Sequence, residues 1–181
     1  MAKPEKLDAI ALLKADHRKV EELFEKFESA KGADRKKALA MEICTELSVH
    51  ATIEEEIFYP ACKGEVDGGL LSEAYVEHDG AKVMIAELVA GSPEDEFYDA
   101  KMSVLAEEIK HHVKEEEKPG EGVFAQARKG GLDMAALGDR LEARKAELLA
   151  KIKAEGLPPP TTRSFTGHKL LQGQTVEAKA A

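Results

Sequence analysis

A His-x-x-x-Glu spacing occurs twice in this chain, at His50 and Glu54 and again at His112 and Glu116, and it narrows the possible folds more than any bulk property. Residues four apart lie on one face of an α-helix, one turn above the other, so an imidazole and a carboxylate reach the same point in space. Two lone histidines complete the figure: His17 stands 33 residues before His50, and His78 stands 34 before His112. The chain therefore has a near-dyad, each half offering one lone His and then one His-x-x-x-Glu. Four imidazoles and two carboxylates are a metal-site inventory.

The apolar periodicity places these residues on inward faces. Residues 8–30 read as a first helix with Ile10, Leu13, His17, Val20, Phe24 and Phe27 in one row, stopped at Gly32. A second, capped by Asp34 and ending near Pro60, aligns Ile43, Leu47, His50, Glu54 and Ile57. A third spans 71–89 with Leu71, Ala74, His78, Ile85 and Leu88 inward, and Ser92-Pro93 opens a fourth whose inner row is Leu105, Ile109, His112 and Glu116. Pro119-Gly120 breaks that helix, two further turns fit residues 121–129, and residues 133–155 form a helix with Met134, Leu137, Leu141 and Leu148 on one side. From Gly156 the chain is aperiodic and carries Pro158, Pro159 and Pro160, which reads as a disordered tail. The expected fold is all-α: an up-and-down antiparallel four-helix bundle over residues 1–130, an accessory helix packed outside it over 131–155, and the tail over 156–181. Aromatics at 5% and charged residues at 34% agree with charged helices around an aliphatic interior.

A Glu in an apolar row costs several kcal/mol unless it meets a cation or protonates. Glu54 and Glu116 therefore mark the site. In an antiparallel hairpin His17 and the His50–Glu54 pair come to similar height, and the second hairpin repeats this. A single inward His is ordinarily a core imidazole bonded to a carbonyl; four at one level beside two Glu make a metal site in a bundle core. Four His and two Glu overfill a tetrahedral zinc site and suit two ions bridged by carboxylates, and imidazole with carboxylate suits iron. Cys44 and Cys62 are read as reduced packing residues. Tyr75 and Lys82, one turn either side of His78, are candidates to stand behind the ligands. Glu55, Glu56, Glu115 and Glu117 read as a solvated acidic face, His111 as a surface residue and His168 as part of the tail. The net charge of −9, with no Lys/Arg block, argues against nucleic acid as a partner. No apolar run reaches the roughly 18 residues of a membrane span, and the start has no leader-like apolar stretch, so a cytoplasmic protein without a membrane partner is expected.

This motif set resembles the hemerythrin-like HHE cation-binding family, over about residues 8–128. The resemblance implies a four-helix bundle around a non-haem di-iron centre, with His17 and His50 on one iron, His78 and His112 on the other, and Glu54 and Glu116 as bridges. It also implies an oxo, hydroxo or water ligand between the ions. Residues 54–60 resemble the ending of the family's second helix. Oxygen-carrying members place two His four apart on the third helix, whereas Ala74 and Lys82 flank His78 here; their fourth helix uses His-x-x-x-x-Asp, whereas Glu116 lies at the shorter spacing. Pro119-Gly120 interrupts where the family commonly continues toward Phe-Pro. The implied role is a binding or sensing module for O2 or NO. The alternatives are a di-iron enzyme acting on hydrogen peroxide or NO, for which the sequence offers no separate acid–base pair, and an iron-holding structural or storage bundle.

Overall fold

The computed structural model describes residues 7–165, and these are helical up to Glu155 apart from turns and one isolated bridge between Lys63 and Val66, with residues 156–165 outside any helix. Helix α1 (Ala9–Ser29) starts where the Asp8 carboxylate accepts a hydrogen bond from the Ala11 N–H at 2.8 Å. Helix α2 (Ala33–Ile53) follows Gly32, whose φ of 85° lies in the left-handed region. Gly32, not Asp34, thus holds the cap position, and Asp34 sits in the first turn, where its charge suits the helix dipole. A π-helical turn, Glu54–Phe58, joins α2 to the short α3 (Tyr59–Cys62). Then come α4 (Gly68–Ala90), α5 (Tyr98–Glu116), α6 (Val123–Lys129) and α7 (Met134–Glu155).

The fourth long helix begins later than Ser92-Pro93 predicts. The Asp95 side chain accepts from the Ser92 N–H at 2.7 Å and the Asp95 carbonyl from the Tyr98 N–H at 3.1 Å. These local bonds compete with helix over residues 92–97.

Helix α1 packs on α2, α2 on α4, α4 on α5 and α5 on α1, which closes a ring of four. Two apolar clusters fill it. One gathers Leu13, Ile53, Phe58, Tyr59, Ala74 and Phe124. The other gathers Val20, Phe27, Leu47, Ala81, Tyr98 and Leu105. Helix α1 passes from the first cluster at Leu13 to the second at Val20, α2 returns from Leu47 to Ile53, and α4 crosses again from Ala74 to Ala81. His17, His50 and His78 fall between the clusters on each crossing.

Helix α7 lies against α1, α2 and the π turn and buries Leu137 and Leu141 in the first cluster. A Cβ at Gly138 would sit 2.7 Å from the Leu7 carbonyl, so only glycine lets α7 come this close to the start of α1. The expected disorder from residue 156 fails over its first part. Residues 156–165 lie extended against the bundle, with the Arg163 and Ser164 N–H groups donating to the Asp79 carboxylate at 2.7 and 2.6 Å. An aperiodic segment gives no pattern by which such docking could be read. The rest of the tail, with His168, lies outside the described residues. Among the described residues, no helix is long and apolar enough to cross a membrane.

Candidate metal centre

The six predicted donors meet. His17 Nε2 lies 3.0 Å from His50 Nε2, and His78 Nε2 lies 3.2 Å from His112 Nε2. Glu54 Oε2 stands 3.2 Å from His50 Nε2 and 3.4 Å from His78 Nε2. Glu116 Oε2 stands 3.4 Å from His17 Nε2 and 3.5 Å from His112 Nε2. All six residues are buried. Their donor atoms form two groups with room for a cation: His17, His50, Glu54 and Glu116 in one, and Glu54, His78 and His112 in the other. Glu54 belongs to both.

The outward nitrogens reveal a second ring that the sequence reading left out. His17 Nδ1 meets Glu117 at 2.8 Å, His50 Nδ1 faces Asp16 at 3.5 Å, His78 Nδ1 meets Glu55 at 3.0 Å and His112 Nδ1 meets Glu77 at 2.7 Å. Each acid sits next in sequence to a donor of its own helix and serves the imidazole of the neighbouring helix. Asp16 of α1 reaches α2, Glu55 after α2 reaches α4, Glu77 of α4 reaches α5, and Glu117 after α5 closes back on α1. Consecutive residues on a helix point about 100° apart, so when one aims at the bundle axis its neighbour aims at the adjoining helix. A carboxylate behind an imidazole fixes its tautomer and ring orientation. Glu55 and Glu117 are thus not part of a solvated face. His111, by contrast, is largely exposed, as expected.

A phenol also enters, but not the one expected. The Tyr59 hydroxyl donates to Glu116 Oε1 at 2.8 Å and lies 3.3 Å from Glu54 Oε2, while Tyr75 packs edge-on behind the Tyr59 ring at 5.3 Å. The π turn is the reason. With i to i+5 bonding, the Tyr59 N–H bonds to the Glu54 carbonyl and Tyr59 takes the place over Glu54 that regular helix gives to Phe58. Ile57, assigned inward on a strict 3.6 period, is only half-buried. Lys82 stands one step further out, its ammonium donating at 2.7 Å to Glu55, the acid behind His78.

The electrostatics favour positive charge among these donors. Burial disfavours charged His50, but Glu54 and Asp16 outweigh it and raise its pKa to about 10. Burial likewise opposes charge on His78, yet Glu54 and Glu55 raise it to about 9. Burial would raise the Glu54 carboxyl, and His50 and His78 overcome this and hold it well below the usual range. Burial, with Glu116 and Glu54 alongside, pushes the Tyr59 phenol far up, so it stays a hydrogen-bond donor. Glu54 Oε1 and Glu116 Oε2 are buried without a hydrogen-bond partner. An orphaned carboxylate oxygen in a protein interior is costly, and a cation among these donors satisfies both. The residues fit a metal centre of imidazole and carboxylate.

Comparison with known proteins agrees with this geometry. The family model described as hemerythrin HHE cation binding domain matches residues 8–119. The crystal structure of a hemerythrin HHE cation binding domain-containing protein from Mycobacterium kansasii superposes with a TM-score of 0.68 at 21% identity, over 83% of this chain and 95% of that one. A Nostoc sp. protein named DNA nickase is 27% identical over 106 residues, 59% of this chain but 30% of that protein's length. The match thus spans less than a third of the Nostoc protein.

Proposed function

We propose that this chain, which belongs to the hemerythrin HHE cation-binding domain family, holds two non-haem iron ions in an up-and-down four-helix bundle and uses them to bind or sense O2 or NO. The observation that carries this reading is the pair of donor groups sharing Glu54. His17, His50, Glu54 and Glu116 would hold one ion; His78 and His112 would hold the other, together with the shared Glu54. Oxygen-rich carboxylates with imidazoles and no thiolate favour iron over structural zinc. Ferrous iron, when bound, supplies the electrons that a diatomic ligand draws on.

The protein's own groups set the conditions. The four outer carboxylates keep each Nε2 free to face inward. Tyr59 donates to Glu116 and holds that carboxylate in place. A cavity of about 30 Å³ adjoins the imidazoles, walled by Val20, Leu47, Ile85 and Ile109 together with Lys82. A space this size holds about two waters at most, which supports a diatomic or peroxide-sized ligand and argues against a larger substrate. Because His50 and His78 favour their protonated forms without a cation, loading releases protons and weakens as pH falls.

Anaerobic reconstitution with ferrous iron is expected to give about two irons per chain by elemental analysis, followed by optical changes on adding O2 or NO. A persistent adduct supports binding or sensing, and repeated turnover of peroxide would favour an enzyme instead. One tightly held zinc with no iron uptake, or a ferrous form that ignores both gases, overturns the reading.

A further inference from the structure

We propose that the small ligand reaches the imidazoles through the seam between α2 and α4 at Ser48 and Lys82, and that the C-terminal segment at residues 158–163 roofs this seam. The inference rests on the ligand-binding role proposed above. Two cavities meet at the seam. Ser48 and Lys82 line the imidazole cavity, together with His50 and His78, and they also line a surface groove of about 420 Å³. The far wall of that groove is Pro158, Pro159, Pro160, Thr161 and Arg163. Three prolines in a row suit a roof: their backbone is stiff and has no N–H needing a partner.

The roof is fastened to the gate residue. Asp79 Oδ2 accepts from the Arg163 N–H, the Ser164 N–H and the Ser164 hydroxyl, while Asp79 Oδ1 accepts from Lys82 at 3.1 Å. Glu55 repeats the arrangement, with Lys82 on Oε1 at 2.7 Å and Arg163 facing Oε2 at 3.3 Å. The Arg163 guanidinium also lies over the Tyr75 ring at 5.2 Å. Two carboxylates thus clamp the segment and the Lys82 ammonium together. When the segment lifts, Lys82 keeps its own bonds to Glu55 and Asp79, so the segment is the moving cover and Lys82 the fixed wall beneath it. Ser48 on the opposite side is small and half-buried, so little side chain separates the two cavities there.

The test is the rate at which NO combines with the ferrous-loaded full chain, followed by stopped-flow absorbance, beside amide exchange of residues 156–165. Ser48→Phe places a ring in the seam and is expected to slow NO combination about tenfold or more, with metal content unchanged. Ser164→Pro removes an N–H and the hydroxyl from Asp79 without touching the bundle; it is expected to raise exchange in the segment and speed NO combination about threefold, as gating by a mobile segment predicts. If Ser164→Pro frees the segment and both variants combine with NO at the parent rate, the route is wrong while the binding role stands. If the parent itself gives no NO signal, the binding role falls instead.

Discussion

His17 and His50 stand in one donor group with both inner carboxylates, whereas the group of His78 and His112 takes in Glu54 alone, Glu116 approaching only His112 of that pair, at 3.5 Å. The Tyr59 hydroxyl accounts for part of the difference. It takes up Glu116 Oε1 and lies 3.4 Å from His78 Nε2, so a phenol stands where the first half has a second carboxylate. The outer carboxylates differ too. In the first half Glu117 is held at the rim by Arg18 and Lys14, and Asp16 by Lys145 of α7. In the second half Glu55 is clamped by Lys82 and Arg163, and Glu77 by His112 and the exposed His111. The repeated spacing of the sequence therefore repeats the imidazoles and their outer acids, and the unrepeated parts of the chain, the π turn, α7 and the C-terminal segment, make the halves unequal. In the proposed function, the half with fewer protein donors is where the external ligand binds.

The sharpest way to break this comparison is to remove the inner carboxylates one at a time. Because Glu54 serves both groups, Glu54→Ala is expected to abolish binding of both proposed ions. Glu116→Ala should strip the His17–His50 half and leave about one ion in the other. Elemental analysis after anaerobic loading reads both. Equal loss from the two variants would mean that Glu116 bridges as fully as Glu54 does, which is the symmetric arrangement that the repeated spacing alone implies.

The six converging donors were legible in the sequence because an imidazole or carboxylate inside an apolar row is an anomaly that spacing exposes. The helices were legible for the same reason, to within a residue or two at Asp8 and Asp133, whose side chains do accept from Ala11 and Ala136. What lay hidden had no period to reveal it. Tyr59 is displaced by one residue in the π turn, and no 3.6 pattern places it over Glu54. Asp16, Glu55, Glu77 and Glu117 look like surface acids one by one; the signal that finds them is an acid adjacent to every ligand, aimed at the next helix. The docking of Arg163 and Ser164 depends on Asp79, which a linear reading has no reason to connect with the tail.

The outer acids offer a finer contrast. Glu55 is buried and clamped by two cations, while Glu77 is partly open to solvent. Glu55→Gln should weaken ferrous iron binding in the second half by roughly 10–100-fold, the usual cost of losing a carboxylate behind a ligating imidazole. Glu77→Gln should fall at the low end of that range, since water can replace the lost acceptor. Anaerobic iron titrations of the two variants test the ordering, and a larger loss from Glu77→Gln would show that burial does not set the strength of this support.

A last contrast belongs to Asp79, which has no counterpart in the first half. Burial works against its charge, but the N–H groups of Ser164 and Arg163, the Ser164 hydroxyl and Lys82 outweigh that and hold its pKa at about 2, against 3.8 ordinarily. A carboxyl whose folded pKa is depressed contributes stability that is fully present above its unfolded pKa and disappears as pH falls through the folded value. For Asp79 the window runs from about pH 4 down to about pH 2, and a shift of this size corresponds to on the order of 2 kcal/mol. The metal-free protein should therefore lose stability on acidification through this window, and Asp79→Asn should flatten that part of the curve while costing stability at neutral pH. Denaturant midpoints of the two proteins at a series of pH values give the comparison. The other depressed carboxylates, Glu54 and Glu117 among them, titrate in both proteins and cancel in the difference, so the residual slope belongs to the fastening of the C-terminal segment. Amide exchange of residues 156–165 locates it: protection there should fall with pH in the parent before the helices open. If the segment stays protected until the whole bundle unfolds, Asp79 is coupled to global folding rather than to the segment, and the two halves differ less than the fastening implies.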